Sequence, residues 1–309
     1  MKVMVTGGAG FIGSHIVDRL IALGHDVSII DNLSTGKKAF IHPKASFYRV
    51  DLRDRQIREI LEAERPEAVI HQAAQIDVPT SVRDPLFDAE TNILGTLQLL
   101  EACRRSGVRK IVYASSAAVY GEPAYLPIDE KHPVDPLSNY GVSKFTPESY
   151  LKVYKRLYGL DYTILRYANV YGIRQDPRGE GGVIAIFLGR VLRNQVLTIF
   201  GDGKQTRDFV YVGDIADANI RALHRGGGMI FNLGTGVPTS LEKLVGILEE
   251  VTEKKIRVEY GPERPGDIKH SHFDIRRAKK WLDWTPRIDL KTGLGMTYEY
   301  YLETAQRLP

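Results

Sequence analysis

The segment SNYGVSK puts Tyr140 four residues before Lys144, so both side chains fall on one face of any helix formed there. A free phenol titrates at about pH 10 and is a weak base at neutrality. A neighbouring ammonium favours the phenolate, and so would a positively charged nicotinamide ring. The pair therefore suits removal of a proton from a sugar or alcohol hydroxyl while hydride leaves to NAD. Tyrosine and lysine at this spacing are often only surface neighbours, so the chemistry needs support elsewhere in the chain. A second source of hydroxyls is YASSAAVYGE, residues 113 to 122, where Ser115 and Ser116 precede Ala117 and Ala118.

The support lies upstream. VTGGAGFIGSH follows the β-branched run KVMVT (2–6) and leads into a helix-like segment ending on Gly24. Gly7, Gly10 and Gly13 are spaced three apart, a variant of the dinucleotide fingerprint that lets backbone N–H groups approach a pyrophosphate. Asp31 follows the next run, VSII (27–30), and stands 18 positions after Gly13. That is close to the ~20 expected for an acid on a ribose diol. Its carboxylate would repel a 2′-phosphate, which favours NAD over NADP. Lys37 and Lys38 hint the other way, but they sit in a glycine-containing loop and read as solvated.

Further runs, SFYRV (46–50), AVIH (68–71) and KIVYAS (110–115), alternate with the helical patterns RQIREILEAER and NILGTLQLLEACRRSG. Strand and helix repeated in this way predict a doubly wound parallel (Rossmann) α/β sheet. DYTILRYANV (161–170) reads as one more strand. The pattern then fades into YGIRQDPRGEGG, so the domain change is placed near residue 170: 1–169 for the cofactor, 170–309 a smaller C-terminal α/β substrate domain. RDFVYVGDIADANIRALHRGG again reads as strand then helix, which suggests a return to the first domain around 206–226.

Composition bounds the rest. The 309 residues are 43% hydrophobic and 26% charged, with a net charge of +4 and no basic run longer than three. That argues against a dedicated nucleic-acid surface. The single cysteine, Cys103, lies in an apolar helical pattern and reads as a buried structural thiol suited to the cytoplasm. The first residues reach glycines before a signal-like apolar stretch forms, and no segment approaches the ~20 apolar residues of a membrane span. The eight histidines show no paired ligand spacing, so no metal is expected.

With TGGAGFIGSH, DNLSTG, VIHQAAQ, TNILGT, SSAAVYGE, YGVSK, LRYANVYG, IFGDGKQTRDFVYV and RPGD in this order, the chain resembles the extended short-chain dehydrogenase/reductase family. The resemblance spans essentially the whole chain and is strongest to the UDP-glucose (UDP-galactose) 4-epimerase branch. It implies Ser116, Tyr140 and Lys144 as the catalytic groups. It implies Phe11 and Ile12 at the cofactor pyrophosphate, and Asp31, Asn32, Leu33, Ser34, Thr35 and Gly36 around the adenosine ribose. Asp51 and Leu52 would flank adenine. Gln72, Ala73, Ala74 and Gln75 would line the cofactor, with Asn92 nearby and Tyr167 at the nicotinamide end.

On the substrate side the resemblance implies Arg207 and Arg264 at the UDP diphosphate, where a guanidinium binds phosphate oxygens in pairs. Asp267 would hold the uridine ribose and Asn169 the diphosphate or sugar. Gly182, Val183, Thr198 and Phe200 would enclose uracil and ribose. Ser271 would face the sugar C2 substituent, and its small size leaves space for UDP-N-acetylhexosamines. It further implies a homodimer through a four-helix bundle built on 88–106 and 141–158.

Relatives that dehydrate or decarboxylate the keto sugar carry a glutamate directly after the catalytic hydroxyl; Ala117 and Ala118 supply no second acid or base. The implied reaction is therefore reversible 4-epimerisation of a UDP-hexose on tightly bound NAD. Rival readings are another nucleotide-sugar epimerase or reductase of the family, such as a UDP-uronate epimerase, and a non-catalytic NAD-binding sensor. Two departures stand out. Ile76 replaces a lysine that many epimerases carry, and Pro147 lies inside the expected helix. Either that helix starts near Asn139 and is kinked, or it is irregular around Tyr140 and Lys144.

Overall fold

The computed structural model describes residues 1–177, 182–263 and 268–306. The strands are β1 (Lys2–Thr6), β2 (Asp26–Ile30), β3 (Ser46–Tyr48), β4 (Ala68–His71), β5 (Lys110–Ser116), β6 (Asp161–Tyr167), β7 (Asn169–Tyr171), β8 (Leu197–Phe200), β9 (Thr206–Tyr211), β10 (Met229–Leu233), β11 (Pro238–Ser240) and β12 (Val258–Gly261). The first helices are α1 (Phe11–Ala22), α2 (Gln56–Glu64), α3 (Val78–Arg83), α4 (Pro85–Ala89), α5 (Gly95–Arg105) and α6 (Asn139–Tyr158). They are followed by α7 (Val183–Leu192), α8 (Val212–Ala222), α9 (Leu241–Thr252), α10 (Arg276–Trp281) and α11 (Leu290–Gln306).

Seven strands form one parallel sheet in the order β10-β6-β5-β4-β1-β2-β3. Side-chain alternation along each strand assigns its two faces. Val3, Val5, Ala68, Ile70, Val112 and Leu165 pack with α1, α8 and Trp284, while Met4, Val69, Ile111, Tyr113 and Ile164 pack with α2, α5 and α6. Both faces are covered, which is why these strands are nearly continuous apolar runs. Cys103 is fully buried in the second layer, where desolvation raises its thiol pKa and leaves it a structural group.

Past β6 the chain leaves the large sheet. Residues 161–170 are not one strand: the break at Ala168 separates β6 from β7, which joins β9 and β11 in a three-stranded sheet. β8 pairs with β12 in a two-stranded sheet, and a third apolar core gathers α7, α9 and α11 around these short strands. α8 returns to pack on α1, and β10 takes the outer place beside β6.

Helix α6 starts at Asn139 and continues to Tyr158 with Pro147 inside it. Ser138 caps its start, accepting from the Gly141 N–H at 3.1 Å, and Gly159 ends it in the left-handed conformation. Pro147 costs one intrahelical bond. The helix is nevertheless fastened by what it buries. Glu148 accepts two bonds from Arg166 on β6, at 2.9 and 2.5 Å, and a third from the Ser115 hydroxyl at 2.7 Å. Tyr120 lies over the guanidinium at 4.7 Å. Both charges are sealed, with side chains 3% and 0% exposed. Removing one member leaves the other uncompensated, so Glu148→Gln is expected to lower unfolding free energy by about 3–5 kcal/mol. The check is the shift of the urea midpoint.

Candidate active site

The glycine loop sets the first wall. Gly7 has φ +69, a value costly for other residues, and its N–H donates to Ile30 O at 2.8 Å, tying the loop to β2. A Cβ on Gly13 would stand 2.1 Å from Gly7 O, so α1 approaches β1 as closely as backbone allows. Gly10 is the N-cap of α1 and offers no side chain to cap it. The first helical N–H groups therefore remain available to an anion.

Next comes the acid after β2. Asp31 is buried, accepting from the N–H groups of Ala9 (3.0 Å) and Leu33 (2.8 Å), and burial raises its pKa against those bonds. Gly36 lies against it: a Cβ there would meet Oδ1 at 2.7 Å. Asn32 reaches Asp51 at 2.8 Å, and Asp51 is held down to about 2 by the Arg53 guanidinium that forks onto it. Lys37 pairs with Asp176 at 3.2 Å and lies over Phe40.

These pieces enclose a cavity of about 400 Å³ at the carboxyl ends of the central strands. Of the residues expected around a dinucleotide, Gly7, Gly10, Phe11, Ile12, Gly13, Asp31, Asn32, Ser34, Thr35, Asp51, Leu52 and Gln72 to Gln75 line it. Leu33 and Gly36 stand behind Asp31 instead, shaping its loop. Asn92 is buried away from the lining, its amide committed to Gln75, Asp88 and Ser143. Tyr167 also stands outside the lining. Its hydroxyl is bonded to Gln72 and Asn219, so it fixes the Gln72 wall, and burial pushes its pKa up to about 12.

Ile76, flagged in the sequence as replacing a lysine, also lines the cavity, while sequence reasoning missed Ile30, Val50, Arg53, Thr80, Phe87 and Thr91. Ile30 and Val50 could have been found as residues at or just beyond strand ends. Arg53 stacks on Phe87 at 5.2 Å, a contact between segments that no local motif announces.

The reactive groups meet beside this cavity. Ser116 ends β5 in register with Tyr167, and its Oγ accepts from the Ala118 N–H at 3.2 Å. The same hydroxyl lies near the Tyr140 phenol. Tyr140 is half-buried with its phenol end desolvated. Desolvation raises its pKa, the Ser116 hydroxyl lowers it and the nearby Asp88 raises it. Lys144 is buried with its ammonium 4.8 Å above the Tyr113 ring, and desolvation lowers its pKa to about 8 against the pull of Asp88 and Glu148. Ser115, one residue earlier on the opposite face, is spent on Glu148. Ala117 packs against the Val119, Tyr120, Ile128 and Phe273 cluster, and a Cβ on Gly141 would meet Ala118 O at 2.6 Å. Residue 141 must therefore be glycine-small beside the Ala118 backbone, and neither alanine carries an acid or base.

The expected substrate residues are more dispersed. Arg207 on β9 donates to Thr206 O at 2.9 Å and Lys269 O at 3.4 Å, while the Ser271 N–H donates to Thr206 O at 3.1 Å. Asn169 is exposed at the start of β7, whose partner strand is β9. Gly182 caps α7, with Val183 its first residue, and Thr198 and Phe200 lie on β8, where Arg190 bonds the Thr198 hydroxyl at 2.9 Å. None of these lines the dinucleotide cavity. Arg264 and Asp267 lie outside the described residues.

Two kinds of likeness accompany this geometry, a family model and solved structures. Residues 3–234 match the family model described as NAD dependent epimerase/dehydratase. A UDP-glucose 4-epimerase from Thermotoga maritima, solved with UDP-glucose, is 46% identical with a TM-score of 0.97, covering 99% of this chain and 100% of that one. The Thermus thermophilus UDP-glucose 4-epimerase, solved with NAD, is 44% identical with a TM-score of 0.93 over 98% and 99% of the two chains. A UDP-N-acetylglucosamine 4-epimerase from Methanobrevibacter ruminantium, solved with UDP-N-acetylmuramic acid, is 40% identical with a TM-score of 0.94 over 98% of each.

The cavity fits NAD on its own terms: uncapped N–H groups for the pyrophosphate, close glycine packing and an aspartate walled by Gly36. Gly13→Ala forces a methyl into the Gly7 carbonyl. Protein carrying it is expected to purify without nucleotide, checked by acid release and absorbance of the supernatant; retained NAD would refute the steric argument.

Proposed function

The chain belongs to the NAD dependent epimerase/dehydratase family, and from that premise we propose that it interconverts UDP-glucose and UDP-galactose by inverting sugar C4. One observation carries the reading. The Tyr140 phenol stands near enough to the Ser116 hydroxyl for that hydroxyl to lower its pKa, beside a dinucleotide cavity, with a buried lysine one helical turn on and only alanines after the serine. The chemistry NAD supplies when bound is reversible two-electron oxidation at C4. Tyr140, as phenolate, takes the O4′ proton through the bond that Ser116 aligns, and returns it after the sugar has turned. Lys144 supplies a positive charge close to this proton transfer and a donor for the nicotinamide ribose. No neighbouring residue at 117 or 118 offers a proton for elimination, so the keto sugar has reduction as its way out.

The UDP end must stay fixed while the sugar turns. Arg207, Arg264, Asp267 and Asn169 are assigned to that task, with Gly182, Val183, Thr198 and Phe200 enclosing the nucleoside. In this division of labour the large sheet holds NAD and the C-terminal short sheets and helices hold the nucleotide sugar. Ser271, beside the strand of Arg207, leaves space at sugar C2, which supports UDP-N-acetylhexosamines as a second substrate class. The buried lone thiol supports a cytoplasmic enzyme. Leu94, Val142, Tyr150, Val153 and Leu157 are exposed around α5 and α6, which supports a homodimer through those helices.

Purified protein given UDP-galactose without added NAD is expected to form UDP-glucose with no accumulation of NADH; absence of product even with NAD supplied ends the epimerase reading. In the same assay Tyr140→Phe is expected to lose about 10²–10⁴-fold in kcat while retaining NAD. Sedimentation equilibrium is expected to give twice the chain mass, and Val153→Asp half of that. A wild-type monomer would dismiss the dimer.

A further inference from the structure

Asp88 sits in α4, 1% exposed, with only half of its carboxylate committed. Oδ1 accepts from Gln75 Nε2 at 2.8 Å and from Asn92 Nδ2 at 3.2 Å. Oδ2 is buried with no hydrogen-bond partner. Leaving a carboxylate oxygen unpaired in the interior is costly, so what the carboxylate faces matters.

It faces the catalytic helix. The five-residue π-helical segment Glu90–Leu94 follows α4 directly and carries Asn92, whose amide also reaches Ser143 on α6 at 2.9 Å. Ser143 in turn bonds Tyr140 O at 3.1 Å. A continuous polar chain thus runs from the cofactor wall at Gln75 through Asp88 and Asn92 to the turn between Tyr140 and Lys144. A π segment between two α-helices is a costly irregularity often found at functional positions.

The other groups around Lys144 are already engaged. From α6, Glu148 is forked onto Arg166 of β6 and holds Ser115. From β5, Tyr113 places its ring under the ammonium and gives its hydroxyl to Lys144 O at 3.1 Å. From β4, His71 lies between the hydroxyls of Thr6 and Thr96, and burial holds its pKa down to about 3, so it stays neutral. Tyr140 itself has the Ser116 hydroxyl near its phenol, which lowers its pKa.

We propose that Asp88 is a positioning residue, the counter-charge that keeps Lys144 an ammonium beside Tyr140 and ties the cofactor wall to the catalytic helix. The role rests on the epimerase reading above. Asp88 acts on Tyr140 in two senses: its charge opposes the phenolate directly, and it preserves the cation that favours it. The lysine is where the two can be separated. Desolvation lowers its pKa from 10.5 to about 8, and Asp88 heads the charges that resist this fall.

Asp88→Asn keeps the shape and the Oδ1 acceptor while deleting the charge. With the anion gone, Lys144 loses its proton at lower pH. The alkaline limb of the kcat profile is expected to move down by about one pH unit, a tenfold loss on that limb, with KM for UDP-galactose changed by less than about twofold. An unmoved limb, or a loss matched by lost NAD, overturns the proposal and leaves Asp88 a structural acceptor.

A second measurement needs no turnover. A lysine whose folded pKa lies below its unfolded value binds fewer protons when folded, so stability rises with pH between about 8 and 10.5. That rise in Tm is expected to begin at lower pH in Asp88→Asn and to vanish in Lys144→Met. D88N/K144M, with both charges removed, is expected to melt above the sum of the single effects. Additive melting, or a rise that begins at the same pH, overturns the proposal even if Asp88→Asn alone is poorly folded. Failure of the wild type to convert UDP-galactose would overturn the function and leave this thermal test to decide Asp88.

Discussion

The bidentate pair between Glu148 and Arg166 fixes the frame in which every reactive group is placed. It joins a helix to the sixth strand of a parallel sheet through two fully desolvated charges. Ser115 bonds the same carboxylate, so the end of the neighbouring strand is referenced to it as well. Lys144 lies one turn before Glu148 and Tyr140 one turn before that, while Ser116 follows Ser115. Relative motion of α6, β5 and β6 would separate the phenol from the serine. Such a pair adds little net stability over an apolar contact of similar volume. What it supplies here is a position: the forked geometry accepts one orientation of the helix on the sheet.

Much of this was legible because its signals are local. Four of the first six strands of the large sheet match their apolar runs to within a residue, while SFYRV is shortened to β3 and DYTILRYANV stops at Tyr167 for β6. The glycine triplet announces a loop whose close backbone approach admits no side chain at Gly13. The family resemblance, carried by ordered motifs, put Ser116 beside Tyr140. The rest depends on contacts that spacing cannot express. Nothing in DYTILRYANV marks Ala168 as the point where one strand becomes two in different sheets. Pro147 reads as a breaker, yet the helix persists because Glu148 and Leu151 beyond it are buried. Asn92 belongs to a motif associated with the cofactor, but its amide is consumed by Gln75, Asp88 and Ser143. The Arg53–Phe87 stack joins residues from separate segments and was invisible for that reason.

Burial works against the Tyr140 phenolate. Desolvation raises the phenol, and the ammonium that could offset this stands over Tyr113. A positively charged ring in the adjacent cavity would favour the phenolate. Buried donors and acceptors held this way need little rearrangement when charge develops.

The place of β10 has a consequence for how the molecule is made. Its strand closes the edge beside β6, and Phe231, Leu233 and Trp284 complete one face of the large core. Everything from β7 to α8 must leave the ribosome before β10 appears, and Trp284 emerges later still. Throughout that interval β6 presents an unpaired edge, and α8 has no sheet edge beyond β6 to cover. The dinucleotide-binding half is therefore not an autonomous N-terminal unit during synthesis. It matures only when nearly the whole polypeptide is available, and a nascent chain paused within the short sheets exposes strand edges open to pairing with other chains.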